Sequence, residues 1–299
     1  MFETTRTLDC AGRPLRLDQP RIVGIVNVTP DSFSGDGVMA LDAAVAHALD
    51  LVEQGADALD VGGESTRPQA ESVSLEEELR RVVPVIDRLA RECSVPIWVD
   101  TSRPEVMRAA VGAGAGFIND VRALREEDAL NAAAALKVPV CLMHMLGEPR
   151  SMQDAPHYDD VVSDVRRFLA ERLFACEMSG IDKKSIVVDP GFGFGKTLEH
   201  NLALLRALDQ FAALGVPLLA GLSRKAMIGR LTGREDPALR AAGSAAAALI
   251  AVQKGAAIVR VHDVAQTRDA LAVWQGVNAG AVPAKKTQKP FGSQRFEDE

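Results

Sequence analysis

Residues 21–34 read RIVGIVNVTPDSFS, an apolar run that ends in a cluster of polar side chains. Runs of this kind, rich in Val, Ile and Leu, recur along the chain, and each is followed by a turn and a longer stretch with helical periodicity. Eight can be counted, at 21–28, 58–62, 97–100, 117–121, 138–143, 186–189, 218–221 and 258–262. Apolar strands that alternate with helices indicate a parallel sheet covered by helices, and eight such units favour closure into a single (β/α)8 TIM barrel of the α/β class.

The segments between the runs carry helix signals. Residues 41–54, 75–92, 158–179 and 237–254 place apolar side chains about 3.6 residues apart and charges on the other face. Pro104 fits the first turn of a helix, whereas Gly55, Gly180, Gly215 and Gly255 fit helix ends. A doubly wound open sheet is the alternative architecture for the same alternation.

A single domain accounts for the chain. The barrel is expected over residues 1–277, with a short hairpin within 2–20 that plugs the bottom of the barrel. From Asn278 onward the chain loses its periodicity and becomes polar, so residues 278–299 are expected to form a mobile, disordered tail.

The composition excludes several classes of protein. The 299 residues are 47% hydrophobic and 25% charged, and their formal net charge of −7 leaves no basic surface for nucleic acid. No apolar run approaches the roughly 18 residues of a membrane span, and residues 1–20 lack a secretory signal, so a cytoplasmic protein without a membrane partner is expected. The four cysteines are far apart and are expected to be reduced core thiols.

Polar side chains stand at the ends of the eight apolar runs. In a barrel the carboxyl ends of the strands form one rim, and the residues that carry out the chemistry lie there. The polar groups at these ends are Asn27, Glu64 with Arg67, Asp100, Asn119, His144, Asp189, Ser223 with Lys225, and Arg260 with His262. Their convergence on one rim predicts an enzyme.

Asp100, Asn119 and Asp189 form the first group of interest, since they project from strands three, four and six toward a common centre. Such a ring of acceptors suits a flat heterocycle rich in amino and ring N–H donors. Burial raises the pKa of carboxylates, whereas a nearby Lys225 lowers it again. The alternative is structural: Asp100 and Asp189 cap the following helices or pair with Lys225 inside the barrel.

Arg67, Arg260, His262 and Asn27 form a second group that can bind an anion, with phosphate or pyrophosphate as the best fit, while Asn27 offers an oxygen to a hard cation. The structural alternatives are an ion pair at the rim for Arg260 and a satisfied histidine near the core for His262. The sequence lacks the local motifs of zinc and serine-nucleophile enzymes, which leaves catalysis by positioning and charge stabilisation.

Five polar stretches, in order, resemble the signatures of dihydropteroate synthases. They are 27–34 (NVTPDSFS), 63–68 (GESTRP), 189–196 (DPGFGFGK), 221–225 (GLSRK) and 260–263 (RVHD), and the resemblance runs from about Arg21 to Trp274. The chain departs from the usual family pattern at Gly35-Asp36-Gly37, Gln69 and Leu146.

The resemblance implies a transferase that joins 6-hydroxymethyl-7,8-dihydropterin pyrophosphate to 4-aminobenzoate, releasing pyrophosphate and 7,8-dihydropteroate for folate synthesis. It also implies Mg²⁺ as cofactor, sulfonamides as competing ligands, and closure of loops with Asp31, Ser34, Thr66 and Arg67 over the site. The implied pterin residues are Asp100, Asn119, Asp189, Lys225 and Arg260, of which all but Asn119 are catalytic. The implied pyrophosphate residues are Asn27, Arg67, Arg260 and His262, with Asn27 on the metal. The implied aminobenzoate residues are Thr66, Pro68, Phe194, Ser223 and Lys225.

Two other functions remain open at this point. A pterin-dependent methyltransferase, which passes a methyl group from methyltetrahydrofolate to a corrinoid, shares the barrel and the pterin ring of Asp and Asn, but is not expected to combine the 221–225 and 260–263 stretches with Arg67. A catalytically inactive paralogue acting as a binding partner would normally have lost the polar loops after strands one and two. Family resemblance further implies a homodimer, for which the Ala-rich surface of residues 245–248 in a helix over 238–253 is expected to pack closely.

Overall fold

Eight parallel strands form a barrel in the computed structural model, which describes residues 6–29, 38–64, 73–147 and 152–279. Their bounds are Arg21–Asn27 (β3), Ala58–Gly62 (β4), Ile97–Asp100 (β5), Phe117–Asp120 (β6), Val140–Met143 (β7), Ile186–Asp189 (β8), Leu219–Ala220 (β9) and Ile258–Val261 (β10). Each lies within one of the eight apolar runs of the sequence. Within the described residues, the predicted barrel is therefore confirmed and the open sheet is excluded.

The order of the strands closes the sheet on itself. Neighbouring strands follow the order β8-β7-β6-β5-β4-β3-β10-β9, and a bridge between Val188 and Leu218 joins the two ends. The register pairs Asn27 with Gly62, Gly62 with Asp100, and Asp100 with Asn119. These four positions are consequently level across four adjacent strands, which places the side chains of Asn27, Asp100 and Asn119 at one height of the rim.

Helices surround the barrel, and local signals explain where they begin and end. Ser74 caps a helix with its hydroxyl accepting from Glu77 N, and Pro104 occupies the first turn of the next one. Gly55 and Gly180 follow helices with φ of +101° and +87°, which a side chain would disfavour. The helices are Val38–Glu53 (α1), Leu75–Glu92 (α2), Pro104–Gly112 (α3), Ala129–Leu136 (α4), Val161–Met178 (α5), Leu198–Arg206 (α6), Ala226–Thr232 (α7), Ala241–Gln253 (α8) and Val264–Ala279 (α9).

The predicted helix over 237–254 is split, because Asp236 caps a short 3-10 turn, Pro237–Arg240, ahead of α8. The expectation of an Ala-rich surface at 245–248 is wrong for three of its four residues, since only Ala246 among them is exposed. Ala245, Ala247 and Ala248 are buried within the subunit, where their small side chains let α8 lie close to its neighbours.

A hairpin covers the amino-terminal end of the barrel, as predicted. Strands Thr7–Cys10 (β1) and Arg13–Arg16 (β2) pair antiparallel. Their buried side chains pack against a layer inside the barrel in which the rings of Trp98 and Phe117 stack 3.8 Å apart. A Cβ at Gly116 would lie 2.3 Å from Cys10 O, so the hairpin backbone touches the barrel directly. The bottom of the barrel is therefore closed by packed side chains.

Other expectations concern the cysteines, the membrane and the tail. All four cysteines are free, and three of them are buried, which fits the core thiols expected. Among the described residues, no helix is long and apolar enough to cross a membrane. Helix α9 continues to Ala279, just past the expected start of the tail, and residues 280–299 lie outside the described part of the chain.

Candidate active site

Two carboxylates and one amide meet around a single guanidinium at the rim of the barrel. Arg260 projects from β10, and its Nε donates to Asp60 Oδ2 at 2.5 Å while its NH2 donates to Asp100 Oδ2 at 2.7 Å. Asn119 Nδ2 donates to the same Asp60 oxygen at 2.9 Å. Asp100 and Asn119 are level in the register and share one centre, whereas Asp60 lies opposite Trp98, two residues before Gly62, and reaches them from one layer deeper in the barrel.

Asp60 is the residue that the sequence reasoning missed. Its side chain is fully buried, it binds both Arg260 and Asn119, and its Oδ1 has no hydrogen-bond partner among the described atoms. A carboxylate at this depth is costly unless it is paired with a cation. The signal was present, because Asp60 is a charged residue in the middle of the apolar run 58–62.

Asp189 and Lys225 form the second half of the site. A Cβ at Gly221 would lie 3.7 Å from Asp189 Oδ2 and 3.9 Å from Lys225 Nζ, so both groups face the same small space. Asp189 Oδ1 accepts from Gly191 N at 2.8 Å. The Lys225 ammonium donates to Phe192 O and lies 4.6 Å from the centre of the Phe194 ring. The predicted neighbours Asp189, Lys225 and Phe194 are thus brought together.

Burial and charge shift the pKa values in the directions expected from the sequence. Burial raises the pKa of Asp100 to about 7 against the opposing effect of Arg260, and it raises the pKa of Asp189 against Lys225. Burial lowers the pKa of Lys225 to about 8, although Asp189 opposes the shift. For Arg260, burial acts downward, but Asp60 and Asp100 outweigh it and raise the pKa, so the guanidinium stays charged.

Ser223 and His262 lie together beside Lys225. His262 N donates to Ser223 Oγ at 3.1 Å, and the same oxygen lies 3.1 Å from His262 Nδ1. Arg224, between the two site residues of its loop, has a left-handed backbone with φ of +58°. A bidentate ion pair with Asp263, at 2.6 and 3.0 Å, holds it in that conformation. The strained turn points Ser223 and Lys225 into the site from either side.

The structural alternatives have mixed outcomes. Asp100 and Asp189 cap no helix, since Arg103 and Thr197 precede α3 and α6. Arg260 does form an ion pair at the rim, with two carboxylates that belong to the same site. The predicted site residues Thr66, Arg67 and Pro68, and the loop residues Asp31 and Ser34, lie outside the described residues.

Asn27 is the residue that the family resemblance assigns to the expected metal. It ends β3, half-buried and level with Asp100, and no group of three or more His, Cys, Asp or Glu that could hold an ion occurs in the described ranges. Mg²⁺ commonly binds one or two protein oxygens and completes its shell with substrate phosphates and water. The donor set therefore fits a Mg²⁺ ion that arrives with a phosphorylated substrate.

A (β/α)8 barrel with paired charges, an amide and an aromatic ring at the carboxyl ends of its strands defines a barrel enzyme for a polar, planar substrate. A profile of the family described as pterin binding enzymes matches residues 23–262. The dihydropteroate synthase of Escherichia coli is 52% identical over 263 residues, which are 88% of this chain and 93% of that protein. The chain belongs to the pterin-binding enzymes and, among them, to the dihydropteroate synthases.

Solved structures of the same family agree. Xanthomonas albilineans dihydropteroate synthase with 4-aminobenzoic acid is 63% identical and superposes with a TM-score of 0.88 over 92% of this chain and 99% of its own. The same protein in complex with 7,8-dihydropteroate gives 60% identity and a TM-score of 0.85 over 91% and 99% of the two chains. The Yersinia pestis synthase with a sulfonamide drug gives 47% identity and 0.87 over 91% and 99%.

Proposed function

We propose that this chain is a transferase that condenses 6-hydroxymethyl-7,8-dihydropterin pyrophosphate with 4-aminobenzoate, giving 7,8-dihydropteroate and pyrophosphate for folate synthesis. The observation that carries the proposal is the rim cluster of Asp100, Asn119, Asp189, Lys225 and Arg260, found in a chain more than half identical to dihydropteroate synthases. Relatives that bind 4-aminobenzoic acid and 7,8-dihydropteroate support the choice of substrates.

The pterin ring is assigned to the carboxylate side of the site. Asp189 and Asp100 accept from the amino and ring N–H groups of a pterin, while Asn119 and Lys225 donate to its carbonyl and ring nitrogens. These groups are already held by Arg260, Asp60 and Gly191, so little rearrangement is needed when the ring binds. Pre-organisation of this kind reduces the cost of binding.

The reaction proceeds through separation of charge. As the bond to pyrophosphate breaks, positive charge spreads over the pterin, and Asp100 with Asp189 stabilises it. Arg260, His262 and, by family resemblance, Arg67 bind the leaving group. Asn27 would hold Mg²⁺ that arrives with the substrate, and the ion would neutralise part of the pyrophosphate charge. The amine of aminobenzoate then attacks the exocyclic carbon and loses a proton, and no covalent enzyme intermediate forms.

The aminobenzoate is assigned to the side of Lys225 that faces Phe194. Phe194 belongs to a buried apolar cluster with Val121, Met143, Met145 and Met152, which suits the face of a benzene ring. The Ser223 hydroxyl and the stem of Lys225 complete the described part of the pocket, with Thr66 and Pro68 assigned to it by resemblance. Sulfonamides, which mimic aminobenzoate, are then competing ligands, as the drug-bound Yersinia pestis relative suggests.

The test is pyrophosphate release by the purified protein with Mg²⁺ and the dihydropterin pyrophosphate, with and without 4-aminobenzoate, alongside Lys225→Ala and Asp189→Ala. We expect dihydropteroate to form only when aminobenzoate is present, and product to be lost in both variants. A folded protein that binds the pterin without making product would instead support the inactive paralogue. Methyl transfer from methyltetrahydrofolate to a corrinoid would support the methyltransferase.

The pH profile of the reaction is expected to report Lys225. Because burial lowers its pKa from 10.5 to about 8, the amine is charged below that pH and loses its proton above it. We therefore expect kcat/KM for the pterin substrate to fall as the pH rises through about 8. Lys225→Arg keeps the positive charge, so in this variant the fall of kcat/KM should move to higher pH. A limb near pH 8 that persists in the arginine variant contradicts the assignment.

A homodimer is part of the same proposal, and a cytoplasmic location stays a prediction. Large apolar side chains are exposed on α7, the 3-10 turn, α8 and α9 in the carboxyl-terminal half, namely Leu231, Leu239, Ile250, Val273 and Val277. We expect light scattering to give the mass of a dimer, and the double variant Leu239→Asp/Ile250→Asp to give a monomer. Phe174 is exposed on α5, away from these helices, so Phe174→Asp is the control and should leave the mass unchanged.

A further inference from the structure

Lys196 carries a buried amine for which the proposed reaction has no use. It ends the loop between β8 and α6, and only 3% of it is exposed. Its Nζ donates to Gly191 O and to Phe194 O at 2.9 Å each, and it lies 2.9 Å from His144 Nδ1. The amine therefore ties two carbonyls of its own loop to the end of β7.

The loop that Lys196 holds has little freedom to move. Gly191 has φ of +70°, and a Cβ there would lie 1.8 Å from His144 O, so the loop backbone packs directly on the residue after β7. From the other side Gln153 Nε2 donates to Gly193 O at 2.6 Å, and Tyr158 OH donates to Gly195 O at 2.8 Å. Lys196 is the internal member of this set of contacts, at the centre of the turn.

The same loop supplies the surroundings of Lys225. Phe192 O accepts from the Lys225 ammonium, and the Phe194 ring lies beside it. The carbonyl of Phe194 is in turn one of the two that Lys196 holds. Displacement of this carbonyl turns the Phe194 ring and changes the pocket assigned to aminobenzoate.

We propose that Lys196 is a positioning residue for the aminobenzoate pocket: by holding Gly191 O and Phe194 O from inside, it sets the place of the Phe194 ring against Lys225. The inference rests on the proposed function, since it names a role in the same reaction. It adds that the pocket is shaped by a side chain that touches neither substrate.

The free-energy cost of burying an amine indicates that Lys196 does more than fill space. Burial lowers the pKa of its amine, and Asp189 opposes that shift. A methionine would fill nearly the same volume without the cost of burying an amine, but it would leave two loop carbonyls without donors. Lys196 therefore serves the loop backbone, whose carbonyls it hydrogen-bonds, and contributes less by packing against the apolar core.

The test compares Lys196→Met and Lys196→Gln with Lys184→Met, which removes an exposed lysine next to Asp182. We expect the KM for 4-aminobenzoate to rise on the order of tenfold in the methionine variant, with the KM for the pterin changed by less than about threefold. Glutamine keeps two N–H donors, so it should give a smaller rise. Lys184→Met should behave as wild type.

A merely structural role predicts a different pattern, because a smaller folded fraction lowers the apparent kcat at unchanged KM. The inference is overturned if the wild type is active and the glutamine and methionine variants keep its KM for aminobenzoate. If the methionine variant does not fold, the glutamine variant decides by the same measurement. If the wild type makes no dihydropteroate, the proposed function itself is wrong. That outcome is distinct from failure of the inference about Lys196, which requires an active wild type.

Discussion

Asp189→Asn is expected to lower kcat/KM for the dihydropterin pyrophosphate by roughly two to four orders of magnitude. Charge-assisted hydrogen bonds contribute roughly 1.5–3 kcal/mol each, and in the proposed reaction Asp189 would make two of them to the pterin and would stabilise the charge that develops there. Asparagine still accepts from Gly191 N, so the loop keeps its anchor. Steady-state kinetics at saturating aminobenzoate measure the effect.

The matched control is Asp182→Asn, which removes an exposed carboxylate from its pair with Lys184 in the 3-10 turn that precedes β8. Thermal unfolding should show both variants folded. Activity within about threefold of wild type in Asp189→Asn would exclude the carboxylate from the reaction and return it to a loop-anchoring role.

Arg260→Met is expected to lose both activity and stability. The variant leaves Asp60, which is fully buried, and Asp100 without their cation, and breaking a buried pair typically costs about 3–5 kcal/mol. The leaving group also loses a cation that binds it. Calorimetry should give a lower Tm, and the assay should give little product. Arg88→Met, in an exposed pair with Asp42 and Glu92, is the matched control.

The stability loss of Arg260→Met should depend on pH with a defined sign. Burial already raises the pKa of Asp100 to about 7 in the folded protein, and removal of Arg260 raises it further, above the value of about 4 expected when unfolded. A carboxylate with a raised folded pKa destabilises the fold once it ionises. The part of the deficit that comes from Asp100 therefore grows as the pH rises above about 7 and is absent well below that pH, where the folded carboxyl is protonated in both proteins. A deficit that grows on acidification contradicts the burial argument.

The barrel could be predicted because each strand is buried on both faces and so appears as a continuous apolar run. The polar residues at the ends of those runs could be predicted to converge for the same reason, since parallel strands end at one rim. Asp60 escaped notice because it lies inside a run and not after it. Only the register of β3 to β6, and the reach of Arg260 across the barrel, reveal that it is the partner on which the others depend.

The hydrogen-bond and packing partners of individual side chains could not be predicted from the sequence either. Lys196 stands in a polar stretch like any rim lysine, yet its amine points inward to its own loop. The alanines at 245, 247 and 248 indicate close packing, but nothing in their pattern says whether the neighbour is the same subunit or another one. The partner of a side chain depends on distances in the folded structure, and these distances cannot be read from the spacing of residues along the sequence.

The hairpin at the bottom of the barrel determines the end from which substrates can enter and products can leave. Because β1 and β2 and the Trp98–Phe117 layer close that end, a molecule that reaches Asp100 or Asp189 has entered by the rim and leaves by the same opening. In the part of the chain that the structure describes, the site therefore opens at the rim and is closed at the opposite end. With the pterin on these carboxylates, as proposed, the aminobenzoate would bind nearer the rim, and the joined product would have to leave before another pterin could bind.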